Sequence, residues 1–261
     1  MAGKARGTVV GSTTRALALG AAIAAASAFP TALLAGDAPI RPDAPSSPSP
    51  RDRVFFFAGG DISRDAHFAW SGVTGAPQGL LHENGARIRV MGGAGRYRYR
   101  TAAVPGGVNE GHVTSGEILF GFRQVVGPAS VTAFLGAHVE DQRLAAPDPG
   151  HPTQGTSAGI KAAIELYARL TPASFITASA SASTVHASYH ARGAYGREHS
   201  SRLTYGIEAA VHGDARYVEP RIGLFAQLTY GRTTVALSGG YLSNSDKGGS
   251  AYASLSIYAP Y

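Results

Sequence analysis

The sequence predicts an all-β fold, an up-and-down antiparallel transmembrane β-barrel of about 12 strands, and three observations carry that reading. Apolar residues recur at every second position over stretches of ten or more. The punctuation between stretches alternates between tight turns and longer polar loops. The last stretch, "AYASLSIYAPY", puts Ala253, Leu255, Ile257, Ala259 and Tyr261 on one face and ends on an aromatic residue. Composition agrees: 34 Gly, 12 Tyr and only 15% charged residues, against about 25% in a soluble domain, describe a surface that need not all face water. The absence of Cys excludes a disulfide framework, a thiolate metal centre and a cysteine nucleophile.

Residues 1–28 read as a signal peptide. Lys4, Arg6 and Arg15 make a basic start, an apolar run covers 16–26, and Ala26-Ser27-Ala28 offers small residues to a signal peptidase. Removing those three cations from 23 Lys and Arg leaves 20 against 17 Asp and Glu, so the +6 of the full chain falls to +3. So small a charge, with no finger or helix-turn-helix spacing, argues against nucleic acid as a partner. Residues 29–53, rich in Pro, Ser and Asp, read as a disordered lead-in, and 54–261 as one barrel domain. The implied location is the outer membrane of a Gram-negative bacterium, reached by export. The implied partners are outer-membrane lipids, lipopolysaccharide and the barrel-insertion machinery, with Tyr261 as the C-terminal insertion signal.

Within the domain the period-two pattern predicts strands over 54–60, 67–73, 85–101, 112–125, 129–142, 156–169, 174–184, 188–197, 201–212, 216–230, 233–242 and 250–261. Twelve is the even number a closed bacterial barrel requires, with 10 and 14 as the bounds. Short connections at 125–130, 170–174, 197–201 and 230–234 alternate with longer ones at 144–156 and 243–249, which sorts them to opposite ends of a barrel. A soluble β-sandwich shares the alternation; the aromatic-ended last strand and the spanning length of the strands favour the barrel.

The stretch "RIRVMGGAGRYRYRT" sets Arg87 and Arg89 against Ile88 and Val90, then Arg96, Arg98 and Arg100 against Tyr97 and Tyr99. If arginines face a wet lumen and tyrosines face lipid, the pattern changes phase at Gly92–Gly95, which predicts a β-bulge there. The same logic assigns a charged ladder to the interior: Arg87, Arg89, Arg96, Arg98, Arg100, Glu117, Glu165, Arg169, Glu208 and Arg221, with Arg123, Glu140, Lys161 and Arg202 beside them. Such a ladder persists only if its charges pair, and paired it fills a narrow barrel. Phe134, Tyr167, Phe225, Tyr252 and Tyr258 fall on the same inner face.

Chemistry leaves few marks. His186 and His190 lie in strand and turn texture with no HExxH motif, so no metal or other cofactor is expected. Ser183, His186, Ser188 and His190 supply residue types for a lipid-modifying barrel enzyme, the alternative reading. No acidic orienter is placed, and the HxSNG motif of outer-membrane phospholipases is absent.

"FFFAGGDISRDAHFAWSGVTGAP" (residues 55–77), "ARIRVMGGAGRYRYR", "VTAFLGAHVEDQRLAAPDPGHPTQGT", "KAAIELYARLTPASFITASASAST" and "VALSGGYLSNSDKGGSAYASLSIY" together resemble the cellulose biosynthesis protein BcsS family. The resemblance implies an outer-membrane barrel serving cellulose (exopolysaccharide) synthesis or secretion, with synthase or secretion components and glucan as partners. It implies no catalytic residue, so the expectation is a non-enzymatic accessory. Asp61, Arg64, Asp65, His67 and Trp70, the best-matched polar and aromatic positions, are the candidate glucan contacts.

Overall fold

In a computed structural model the described residues are 52–261, apart from 152, 215 and 216. The expected signal peptide and nearly all of the lead-in therefore lie outside the described residues. Twelve strands follow one another: β1 Val54–Ser63, β2 Ala66–Gly75, β3 Gly85–Arg100, β4 Val108–Val126, β5 Ala129–Leu144, β6 Gly155–Thr171, β7 Ser174–Ser183, β8 Tyr189–Glu198, β9 Leu203–Gly213, β10 Val218–Tyr230, β11 Thr233–Asn244 and β12 Gly248–Pro260. Each pairs antiparallel with its neighbours in sequence, and β1 pairs with β12 to close the barrel. The seam continues past the strand ends, where the Tyr261 amide donates to Val54 O at 2.7 Å and the Val54 amide donates back to Tyr261 O at 3.1 Å. Closure leaves no sheet edge, so every strand has a hydrogen-bonded neighbour on both sides.

The burial pattern is that of a barrel in lipid. Large apolar side chains point outward on every side: Phe56, Phe120, Phe122, Leu135, Ile160, Ile207, Leu224, Leu237 and Leu255 are all exposed. Polar ones point inward, to the extent that Gln142, Gln227 and Glu140 are 1% exposed while Ile222 and Leu224 are 66% exposed. Alternation along each strand thus separates lipid from lumen. The two-residue turns at Gly127-Pro128, Pro172-Ala173 and Gly231-Arg232 lie at the end where β1 starts and β12 finishes. Loops 101–107, 145–154 and 184–188 lie at the other end, which is therefore the extracellular one.

Two local expectations are corrected. The register of β3 runs unbroken from Ile88 to Tyr97 with β2 and from Gly85 to Arg100 with β4, so there is no bulge at Gly92–Gly95. The bulge lies instead between Arg169 and Thr171, where β6 meets β7. Also, the alternation of turn lengths fails near the end of the chain, where the expected long connection at 243–249 is only 245–247, shorter than the 199–202 turn at the opposite end, and it fails at the start. Only Arg64 and Asp65 join β1 to β2 at the extracellular end, while nine residues, 76–84, join β2 to β3 at the end where other turns are tight.

Candidate functional site

The lumen is filled in three tiers, set by which inward positions of the strands meet at each height. From the end where β1 starts and along the β1–β3 wall, inward Phe55, Phe57, Phe68, Trp70, Met91 and Tyr258 form an apolar plug, with Phe55 and Tyr258 stacked at 6.0 Å and Phe68 and Trp70 at 6.1 Å. Beneath it the long 76–84 connection folds under the barrel. Arg87, buried at the foot of β3, donates from Nη2 to the carbonyls of Glu83 (2.6 Å), Leu81 (2.9 Å) and Leu80 (3.1 Å). The Leu81 amide donates to Asp52 O at 2.9 Å, and Leu81 packs against the aromatic plug. A guanidinium satisfied by three carbonyls converts a loop into a floor.

The middle tier is ionic. Arg89 of β3 reaches Glu165 of β6 at 2.6 Å, with its guanidinium 4.2 Å above the Phe134 ring. Lys161 of β6 meets Glu117 of β4 at 2.5 Å. Arg192 of β8 pairs with Glu208 of β9, whose other oxygen accepts from the Tyr252 hydroxyl of β12 at 2.8 Å. Arg221 of β10 bonds Glu219 at 3.0 Å and Asp61 of β1 at 3.3 Å. Arg89–Glu165, Arg221–Asp61 and Tyr252–Glu208 each join strands three apart in the barrel, so they cross the lumen rather than run along its wall. The cavities left between these groups are small, about 30 Å³ beside Lys161 and Glu117 and about 40 Å³ beside Arg89 and Phe134.

The upper tier opens outward as a vestibule of about 90 Å³, lined by Tyr97, Tyr99, His151, Tyr217, Glu219 and Lys247 among others. Its wall is pinned from both sides. Tyr97 Oη donates to Gln142 Oε1 at 2.7 Å, the Tyr99 ring packs tilted against His151 with centroids 4.6 Å apart, and Asn109 donates to both Tyr99 Oη (3.0 Å) and Ala146 O (2.9 Å). Asp148, in the β5–β6 loop, accepts from Tyr99 Oη and is held below the usual carboxylate range, chiefly by the Thr101 hydroxyl. Burial pushes the Tyr217 phenol well above its ordinary value and the Lys247 ammonium below its own.

Of the residues the sequence assigns to the interior ladder, Arg87, Arg89, Glu117, Glu165, Arg169, Glu208 and Arg221 face the lumen, as do Arg123, Glu140 and Lys161. Arg96, Arg98 and Arg100 do not. They stand on the outer face of β3 near its extracellular end, and Tyr97 and Tyr99 take the inner positions. Unbroken pleating dictates this: with Arg87 and Arg89 inside, residues 91, 93, 95, 97 and 99 must also be inside. Arg202 lies in the β8–β9 turn, outside any strand.

The five candidate glucan contacts do not converge. Trp70 is buried in the apolar plug, Asp61 faces the lumen beside Arg221, Arg64 and Asp65 form the β1–β2 turn, and His67 points outward. The serine–histidine contact that does form is one the sequence does not single out: His138 Nδ1 lies 2.9 Å from Ser183 Oγ. Ser183 Oγ also accepts from the Val185 amide at 3.1 Å, so it fixes the turn after β7. His186 sits in that turn, at φ 49°, with Nε2 3.5 Å from Glu140. Among the described residues no group of three or more His, Cys, Asp and Glu is placed to hold a metal ion.

A closed twelve-stranded wall, apolar outside and charged within, defines a β-barrel protein of the outer-membrane type. More particularly, the chain belongs to the cellulose biosynthesis protein BcsS family, whose model matches residues 55–261. No match is found among curated proteins. Among solved structures it is similar to the CymD monoaromatic hydrocarbon channel, at 12% identity over 81% of this chain and 89% of that one, with a TM-score of 0.53. A KdgM porin is similar at 6% identity over 79% of this chain and 99% of that one, with a TM-score of 0.48. These likenesses concern the fold.

Proposed function

We propose that the protein is a non-enzymatic, non-conducting barrel of the outer membrane, an accessory that supports cellulose production or export at the cell surface. The observation that carries this reading is the filled lumen. A glucan chain passing through would have to displace the aromatic plug, the loop floor and at least three cross-lumen polar contacts, each costly to leave unpaired. The vestibule, with its rings and charged rim, is the surface left for glucan or for components of the synthesis and secretion machinery, and Tyr261 at the closing seam serves as the signal read on insertion.

The test has two parts. Purified barrel in a planar bilayer is expected to show no steady conductance, and a deletion strain is expected to lose surface cellulose that the wild-type gene restores. A steady open pore would sink the closed reading; unchanged cellulose would sink the accessory role. The Ser183–His138 contact is what favours a lipid-modifying enzyme instead. Loss of a lipid-directed activity in Ser183→Ala, with the barrel still folded, would establish that alternative.

A further inference from the structure

The outer wall carries an unexplained row of basic side chains. His67 of β2 lies opposite Arg96 of β3, Arg96 opposite His112 of β4, and His112 opposite Arg143 of β5. All four are on the outward face, since the residues after His67, Arg96 and His112 (Phe68, Tyr97 and Val113) and the one before Arg143 (Gln142) are buried in the lumen. At about 4.8 Å between strands, the row covers about 15 Å of wall. Each opposed pair sets an arginine against a histidine, so the two guanidiniums stand two strands, about 10 Å, apart, and a group of opposite sign lying across the row would bridge them.

The chain supplies little of that sign. Glu110 is engaged by His112 at 3.2 Å, and Asp141 by Arg143 at 2.8 Å and Thr156 at 2.7 Å. The Arg96 side chain makes no hydrogen bond or ion pair among the described residues, and nor does that of Arg100 above it.

Height matters as much as charge. From Phe122 to His112 on β4 there are ten residues, which at about 3.3 Å each and a tilt of about 40° rise by about 25 Å, the height of the apolar band of such barrels. The row therefore stands where acyl chains end and headgroups begin. Above it Arg98 and Arg100 lead into an open groove of about 280 Å³ shared with Arg64, Asp65 and Lys247. The outward positions of β6, β7, β9 to β12 and β1 hold no charged residue, and Arg197, outward on β8, is at the opposite end.

We propose that the His67–Arg96–His112–Arg143 row binds the phosphorylated headgroup of an outer-leaflet glycolipid of the lipid A type. Two guanidinium forks grip the phosphates while the apolar wall below takes the acyl chains. A freely diffusing phosphate would make no use of that wall. The proposal is independent of the role in cellulose production.

The test is retention of added lipid by the full barrel in detergent, read by native mass spectrometry. The probes are bisphosphorylated lipid A, dephosphorylated lipid A and phosphatidylglycerol. Wild type is expected to retain bisphosphorylated lipid A in preference to both others. Arg96→Gln/Arg143→Gln is expected to weaken retention at least about tenfold, while Arg197→Gln leaves it unchanged. Arg96→Lys, which keeps the charge and loses the fork, should fall between and stands in if the double variant does not fold. Equal retention by wild type and the row variants, equal retention of phosphatidylglycerol, or an equal loss in Arg197→Gln would overturn the site.

Discussion

Strands β3 to β6 run for 16 to 19 residues, whereas β7 to β12 together with β1 and β2 run for 10 to 13. In the short half, apart from β2 with its outward His67, the outward face stays apolar up to the extracellular rim, as at Ile62, Val218 and Tyr241. On β3, β4 and β5 of the tall half it is apolar only below, through Val90, Ile118 and Leu135, and turns basic above, at Arg96, His112 and Arg143. The outer face of a barrel is thus not one environment. A side chain's polarity there reports its depth in the membrane, and the tall half projects into the headgroup layer where the short half stops.

The two halves also close the lumen differently, and mutation of their ion pairs should separate them. Lys161 and Glu117 in the tall half face each other, with exposures of 7% and 4%. Lys161→Ala leaves the carboxylate uncompensated, and the expected loss is about 3–5 kcal/mol in reversible unfolding from lipid vesicles. Lys161→Met/Glu117→Leu should recover most of it. In the short half Glu208 keeps the Tyr252 hydroxyl when Arg192 is removed, so Arg192→Ala is expected to cost less than Lys161→Ala. Equal losses would show that the tyrosine does not share the charge.

Next in size comes a packing comparison. At Gly121 on β4 a side chain would meet the Ala133 carbonyl oxygen and the Phe134 ring, both at 2.5 Å. At Gly196 on β8 the three nearest atoms a side chain would meet all belong to the Phe175 ring. A ring can turn aside and a strand cannot. Gly121→Ala is therefore expected to lose about 1–3 kcal/mol and Gly196→Ala less, as read from the fraction of protein that keeps its heat-modifiable mobility. The reverse order would mean that the Phe175 ring is locked.

Much of this architecture is legible in the sequence because the pleat has a period of two and lipid enforces one face of it. The strand number, the outward aliphatics and the inward Arg87, Arg89, Glu117, Glu165, Glu208 and Arg221 all follow from that rule. The rule misleads at Arg96, Arg98 and Arg100, since a cation alternating with a tyrosine reads as lumen and lipid only within the apolar band. Above the band the same alternation reverses. A count of residues from the periplasmic turn would have placed Arg96 at the headgroup boundary without a bulge. The cross-lumen partners were out of reach of any such count, because Arg89 and Glu165, or Arg221 and Asp61, are joined by barrel closure and not by spacing along the chain. The candidate glucan contacts failed to converge for a related reason: neighbours in a β1–β2 hairpin alternate between lumen and lipid, so adjacency in sequence separates them.

The smallest effects belong to the rim, where the halves differ in what holds their loops. On the short side the β11–β12 turn is capped by a neutral group, Asn244, whose Oδ1 accepts from the Asp246 amide at 3.0 Å. On the tall side the 145–154 loop is gathered by Asp148, which accepts from Tyr99 Oη at 3.1 Å and from the Gly150 amide at 3.2 Å, besides the Thr101 hydroxyl. Those donors favour the carboxylate and lower its pKa from the ordinary 3.8. A group whose folded pKa is depressed contributes fully above its unfolded value, and that contribution is lost as pH falls through the folded one. The tall-side loop should accordingly resist an acid-active protease near pH 5 and become more susceptible below pH 3.8, while the Asn244 turn shows no such step. Asp148→Asn should remove the step and leave the loop equally susceptible at both pH values. Absence of the step in the wild type would assign the loop's order to Asn109 and its bond to Ala146 instead, a contact that no change of pH in this range can break.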